Sequence, residues 1–529
     1  MTARGGSWAG LLVLWLLVLL ISLVTRPLLP VDETRYATVA WEMWLRGDFL
    51  VPYLNGEPYS HKPPLFFWLI HAGWWVFGVH EWVVRIIAPV VALLTLLATV
   101  NLAHQCWPDD VTAARLAPWI IFGSIFFTGF FSWVQIDLLL VLFTVLAITG
   151  IVSAAHGNRA GWLLTGVAIG MGVLAKGPVI LLQVLPVVLL APLWRRDTAP
   201  RCWWSWYAGA AASVTIGAVI ALGWALPAAG AGGDAYREAI LWGQTANRLV
   251  RSFAHAHPVW WYLPWLPVLF APWILLPRLW SALRYSRPWR DEGLRLCLVW
   301  LAGAFLLMSL VSGKQVKYLL PLLPAFALLL ARVTSMADRD DRYSRPWLPA
   351  AALLVCGGLF MVLPRTLDQA PWIQNVQPLW GGLLVAAAIS MVILRPVPMT
   401  QYPLRMTLFS VFVTGVIYAG IFRTAAPAYD VQAVSRVLAA AQADGRSVGS
   451  MAQYHGQFGF PGRLQQALVQ LDGGGALAWA AEHPDDLLVV IGGKTTEEYP
   501  KAVFTQPYRS GYLAVWNCRT VTDNPAVLP

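Results

Sequence analysis

Apolar residues fill this chain in runs of nearly uniform character, broken by short polar turns. Few segments show the one-sided spacing of helices that keep a wet face. A helix needs roughly 20 apolar residues to cross about 30 Å of hydrocarbon. Runs of that kind lie at 8–24, 82–104, 113–131, 137–155, 161–176, 178–194 and 207–229. Others lie at 259–278, 294–312, 316–333, 347–364, 378–394 and 405–423. The pattern predicts about 13 transmembrane helices. The two runs meeting at Lys176-Gly177-Pro178 also fit one broken helix. No small-residue cleavage site follows the first run, only Thr25-Arg26-Pro27, so it is expected to stay as a span with the N-terminus cytoplasmic.

Two intervening stretches are longer. Residues 25–80 are charged and Pro-rich, with helices predicted at 32–46 and 64–78. Their Trp, Phe and Tyr suit the membrane interface. The second stretch runs from Gly230 to Pro258. After Thr424 the pattern becomes that of a small soluble α/β domain, which divides the chain into 1–424 and 425–529. Asp430–Asp444 reads as an amphipathic helix. Ser447–Tyr454, Leu487–Gly492 and Tyr512–Asn517 read as strands, with helices at Gln465–Leu471 and Ala476–His483. Gly473–Gly475 and Gly492-Gly493-Lys494 lack the spacing of a phosphate loop and are read as turns.

Composition agrees with the pattern. Of 529 residues 58% are hydrophobic and 12% charged, where a soluble domain carries about a quarter charged. A soluble enzyme, a disordered chain and a disulfide scaffold are excluded. The net charge of +10 does not point to nucleic acid, because no stretch combines basic and aromatic residues on a soluble face. The Arg-rich segments are Trp194–Arg201, Arg278–Arg295, Arg332–Arg345 and Arg395–Arg405. All fall in loops that the thirteen-span order makes cytoplasmic. The C-terminal domain is then extracytoplasmic. Only Cys518 of the five Cys lies there, so no internal disulfide is expected.

Ionisable residues in a membrane protein are functional candidates by default. They gather at the predicted outer boundary. Asp32-Glu33-Thr34-Arg35-Tyr36 follows the first span, and Tyr59-Ser60-His61-Lys62-Pro63 lies in the same loop. Asp137 opens the fourth span and Lys176 closes the fifth. Asn247-Arg248 and His255-Ala256-His257 lie in the second long loop, and Lys314, Lys317 and Tyr318 lie at the outer start of the tenth span. Two carboxylates among cations suit an anionic lipid headgroup and an acceptor that must lose a proton. With no nucleotide motif in the chain, a donor activated as a lipid phosphate fits. Structural alternatives stand beside these assignments. Lys176 could snorkel to the headgroups, and Asp32 could cap the helix at 32–46. One of Lys314 and Lys317 would face headgroups. His61, His255 and His257 read as structural histidines, since their spacing is not that of a metal site.

The set Asp32-Glu33-Thr34-Arg35-Tyr36, Lys62-Pro63, Asp137, Ala175-Lys176-Gly177-Pro178, Pro258–Pro264 and Lys317–Pro321 resembles the GT-C glycosyltransferases. Within them it resembles the bacterial lipid A aminoarabinose transferases and their relatives, akin to the protein O-mannosyltransferases. That resemblance implies transfer of a sugar, with inversion, from undecaprenyl phosphate to an envelope acceptor such as lipid A or lipopolysaccharide, at the periplasmic face of the inner membrane. It implies Asp32 as general base or acceptor-binding carboxylate with Asp137 as partner. It assigns Lys62, Arg248 and Tyr318, joined by Lys317, to the donor phosphate. Glu33, Tyr36, Tyr59, His61, Lys176 and His257 would line the cavity or acceptor side. The chain departs from the family in two places. His61 stands where a Glu usually precedes Lys-Pro, and Gln244–Asn247 replaces a Glu-His pair before Arg248. No metal or other cofactor is carried over, and a monomer is expected. The rival readings are a protein O-glycosyltransferase on the same scaffold and, from another class, a lipid or sugar transporter. A transporter predicts midplane charges and an internal repeat, and neither is seen.

Overall fold

The computed structural model describes all residues except 1–7, 197–201, 243–255, 338–344, 368–369, 452, 493–500 and 529. Its first part is a helical bundle. Helices α1 (Trp8–Thr25), α2 (Asp32–Arg46), α3 (Leu65–Phe77), α4 (Glu81–Cys106) and α5 (Val111–Phe122) open it. They are followed by α6 (Asp137–Ala155), α7 (Ala160–Lys176), α8 (Ile180–Leu189) and α9 (Trp203–Ala231). The bundle closes with α10 (Glu292–Leu310), α11 (Leu322–Met336), α12 (Trp347–Val362), α13 (Pro378–Ile393) and α14 (Tyr402–Ile417). Among the described residues, 7 helices are long and apolar enough to cross a membrane, and shorter apolar helices of 10–17 residues pack among them. This is a multi-pass membrane protein.

The apolar runs form helices, and α4, α5, α8 and α9 each accommodate one internal proline, at Pro89, Pro118, Pro186 and Pro227. The exception is 259–278, expected as one span. It is broken into 3-10 turns at Val259–Trp265 and Trp273–Leu275 and a short helix at Leu266–Leu269. Pro264, Pro267 and Pro272 each remove a backbone donor from that stretch. The expected span at 113–131 likewise stops at Gly123 and resumes as Ile125–Phe130. At Lys176-Gly177-Pro178 the chain forms two helices, because Gly177 leaves the helix at φ 81°.

Small residues allow the closest approaches. A Cβ on Gly150 would sit 2.5 Å from the Gly161 carbonyl, and one on Gly161 2.3 Å from the Gly150 carbonyl, so α6 and α7 meet backbone to backbone.

Beyond residue 429 the chain forms α15 (Gln432–Ala443), α16 (Gly473–Glu482) and a five-stranded sheet. The sheet strands, numbered after the hairpin β1 (Tyr53–Leu54) and β2 (Glu57–Pro58), are β3 (Val448–Ser450), β4 (Val469–Gln470), β5 (Leu487–Gly492), β6 (Phe504–Tyr508) and β7 (Gly511–Asn517). Their order is β4-β3-β5-β7-β6, with β3 parallel to both neighbours and β7 antiparallel to β5 and β6. Apolar side chains cover both faces, α15 lying on one and α16 on the other. Gln465–Leu471, expected as a helix, instead yields the edge strand β4. Asn55 clasps its backbone on both sides, accepting from the Leu468 amide at 2.8 Å and donating to the Leu468 carbonyl at 2.9 Å. Gly473–Gly475, expected as a turn, opens α16, where the Asp472 side chain caps the Gly475 amide. Gly493 and Lys494 lie outside the described residues.

The sheet unit sits on α2 and α3. Thr38 donates to the Gly456 carbonyl (2.8 Å) and accepts from the Phe460 amide (2.9 Å), Trp41 donates to the Leu464 carbonyl (2.9 Å), and Trp74 stacks on Phe460.

Candidate active site

Three helix ends and a turn converge around Asp32: the starts of α2 and α6, the end of α7, and the turn at Val316–Leu319 before α11. Asp32 is the first residue of α2. It does not cap the helix: Val31 holds the cap position and no side chain caps it. Its two oxygens instead face different cations. Oδ1 pairs with the Arg35 guanidinium, and Oδ2 lies 3.5 Å from Lys317 Nζ. Burial alone would push the Asp32 carboxyl up. Lys317, Arg35 and Lys62 outweigh it and hold the group below the usual carboxylate range.

Asp137, buried at the start of α6, pairs with Lys176 at the end of α7. The Lys176 ammonium also lies 3.9 Å above the Tyr318 ring. Lys176 therefore turns inward and does not snorkel. Neither Lys314 nor Lys317 faces headgroups. Lys314 is 1% exposed and donates to the carbonyls of His257 (3.0 Å) and Val311, while Lys317 bridges toward Asp32. Tyr36 is buried one turn after Asp32 against Phe66, and burial together with Asp32 keeps its hydroxyl protonated far above the usual range. Tyr59 is buried with its ring 5.1 Å from that of exposed His61. His257 stacks on Trp261 at 4.3 Å, and its amide donates to the Ser312 carbonyl. Arg248, Asn247 and His255 lie outside the described residues. Among the described residues, no group of three or more His, Cys, Asp or Glu could hold a metal ion.

A cavity of about 460 Å³ opens beside Asp32 and Lys317. Phe130, Trp133, Trp372 and Phe422 give it an apolar wall, as an acyl or prenyl chain would require. Glu33 borders it, yet both Glu33 oxygens are taken. Arg26 and the Leu29 amide (2.8 Å) hold Oε2, and the Val134 amide (2.7 Å) holds Oε1. Arg26, 0% exposed in its side chain, also donates to the Ser132 carbonyl at 2.7 Å. Tyr418 hydrogen-bonds Ser132 Oγ at 2.8 Å and the Gly129 carbonyl. This buried hub ties the start of α2 to the loop that delivers Asp137. The sequence reading missed Arg26 and Tyr418. The available signal was an Arg directly after an apolar run, a charge that needs a partner once buried.

Residues 61–224 match the family described as dolichyl-phosphate-mannose-protein mannosyltransferase. The whole fold is similar to the crystal structure of ArnT from Cupriavidus metallidurans bound to undecaprenyl phosphate, with a TM-score of 0.77 at 17% identity over 97% of this chain and 98% of that one. The partial family match and the shared fold agree with the class that the curated relatives show, a GT-C glycosyltransferase that depends on a polyprenyl-phosphate sugar.

The relatives narrow it further. The undecaprenyl phosphate-α-4-amino-4-deoxy-L-arabinose arabinosyl transferase of Edwardsiella ictaluri is 32% identical over 388 residues, 71% of this chain and 68% of its own length. Its namesake from Pseudomonas paraeruginosa is 33% identical over 62% of this chain and 59% of its own length. The chain belongs to this arabinosyl transferase family.

Proposed function

We propose that the protein moves a sugar, of the 4-amino-4-deoxy-L-arabinose type named for its relatives, from undecaprenyl phosphate to lipid A or lipopolysaccharide, at the periplasmic face of the bacterial inner membrane. The observation that carries the proposal is Asp32, an open carboxylate held ionised between two cations at the mouth of an apolar cavity. In the proposed reaction an acceptor oxygen, its proton passing to Asp32, attacks the anomeric carbon. The bond from that carbon to the lipid-phosphate oxygen breaks, and the phosphate keeps the electron pair. Inversion follows from single displacement. Lys62 and Lys317, with Arg248, would neutralise the departing phosphate, Tyr318 donating a hydrogen bond. Lys176 would hold Asp137 and Tyr318 in place, and Tyr36, Tyr59, His61 and His257 would line the sugar and acceptor side. Cations alone balance the leaving group in this scheme, so no divalent metal is required by it.

The proposal includes thirteen spans with the N-terminus cytoplasmic, a GT-C part over 1–424 and an extracytoplasmic unit over 425–529, acting as a monomer. An apolar helix in twelve of the thirteen predicted runs supports the count, with 259–278 broken into shorter turns, the Arg-rich loops support the orientation, and the change from helices to a sheet after residue 429 supports the boundary.

The test is donor binding and transfer measured separately on purified protein. Asp32→Asn should bind undecaprenyl phosphate as the native chain does and transfer no sugar. Native turnover in that variant would remove Asp32 from the mechanism.

A further inference from the structure

The two oxygens of Asp32 look toward different parts of the molecule. The Oδ2 side holds Lys317 from the helical bundle, near the Asp137–Lys176 pair. The Oδ1 side holds Arg35, and there the sheet unit presses directly onto α2. Gly456 takes φ 81°, and a Cβ built on it would lie 3.2 Å from the Arg35 Cα. Thr38 pins the same loop at the Gly456 carbonyl and the Phe460 amide. That loop carries His455, half-buried and within electrostatic reach of Arg35, Asp32 and Arg509. Arg509 is exposed at the turn between β6 and β7, its amide anchored on the Ala428 carbonyl at 2.8 Å. Ala428 adjoins Tyr429, which lines the cavity beside Asp32.

This group is short of negative charge. Asp32 is the one carboxylate that pairs with Arg35, and Arg509 pairs with none among the described residues. Arg35 Nε is buried without a hydrogen-bond partner, a donor whose desolvation a ligand would repay. Burial, reinforced by Arg35 and Arg509, pushes the His455 imidazole below its usual range, the direction expected where an anion is missing. Lys317 holds the Oδ2 side, which the proposed scheme gives to the leaving phosphate, so further cations facing Oδ1 call for a second anion.

We infer that Arg35, His455 and Arg509 form an acceptor-side anion site, so that the sheet unit supplies half of acceptor recognition by gripping a phosphate or a sugar carboxylate while the acceptor oxygen faces Asp32. The inference rests on the reading of Asp32 given above. It assigns the sheet unit a direct part in selecting the acceptor. Loss of the Arg509 cation and of the His455 hydrogen-bond donor should weaken acceptor binding about tenfold or more.

The experiment compares the full native chain with His455→Ala/Arg509→Gln in lipid nanodiscs, measuring dissociation constants for three acceptors and for undecaprenyl phosphate. The acceptors are phosphorylated lipid A, dephosphorylated lipid A, and dephosphorylated lipid A bearing acidic core sugars. The site predicts a tenfold loss with the first acceptor if phosphate is the anion, or with the third if carboxylate is. The uncharged acceptor should bind both proteins equally, and undecaprenyl phosphate should bind both proteins alike, which also reports that the variant is folded. Equal affinity of variant and native chain for every acceptor would overturn the inference. Failure of the native chain to bind undecaprenyl phosphate would instead overturn the donor reading beneath it.

Discussion

Breaking the Arg26–Glu33 pair should damage both stability and transfer, although neither residue touches the reacting atoms in the proposed scheme. The side chains are 0% and 2% exposed, so either charge left alone has no water to turn to. Arg26→Met leaves Glu33 with only the Leu29 and Val134 amides, and Glu33→Gln leaves the guanidinium facing a neutral amide and the Ser132 carbonyl. Removing one partner of a buried pair costs about 3–5 kcal/mol. Arg26→Met/Glu33→Gln removes both charges and should cost far less than the sum of its parents, a coupling of about 2–3 kcal/mol. The assay is a double-mutant cycle by SDS-driven unfolding in mixed micelles. Transfer by each single variant should fall at least tenfold as Asp32 and Asp137 lose their fixed separation. Single-variant costs under about 1 kcal/mol, or costs that add within about 0.5 kcal/mol, would refute the hub.

Lys62→Ala should weaken binding of undecaprenyl phosphate about tenfold or more while leaving undecaprenol binding unchanged, and equal loss with both lipids would count against a phosphate contact. Asp32 is held below the usual carboxylate range, so its ionised form survives as the pH drops through about 4 and is lost only below its folded value. Transfer should therefore keep its rate through that window in nanodiscs, and Arg35→Gln should move the acid limb upward. An acid limb unchanged by Arg35→Gln would disconnect Asp32 from the pH profile. Treatment with a chelator should leave transfer unaltered, and inhibition that zinc reverses would show a metal dependence the scheme lacks.

The bundle was legible because lipid asks only for length and apolarity, and runs such as 137–155 and 294–312 meet both demands without help from tertiary contacts. Where prolines interrupt apolarity, as between Pro264 and Pro272, hydropathy still reads a span while the backbone cannot form one helix. The sheet unit shows the opposite failure. Gln465–Leu471 has helical composition, yet the clasp by Asn55, some 400 residues earlier, draws it into β4, and no local pattern carries that contact. β6 escaped notice because Pro507 argues against a strand, and it forms at the sheet edge, where a missing donor is tolerated. Among the candidate residues, Asp32, Asp137, Lys176 and Lys317 stood out because charge beside apolar runs needs a reason. His455 and Arg509 did not, since in a soluble stretch they look like ordinary surface residues until the fold sets their loops against α2.

The central claim is that Asp32 drives sugar transfer to an envelope lipid. Mass spectrometry of lipid A and lipopolysaccharide tests it most directly, in cells carrying the native protein, none, or Asp32→Asn at equal abundance. The account predicts one sugar-sized mass on lipid A with the native protein and its loss in both other strains. Lipid A that still carries the added mass with Asp32→Asn would contradict it, as would lipid A identical in all three strains while the native protein is made.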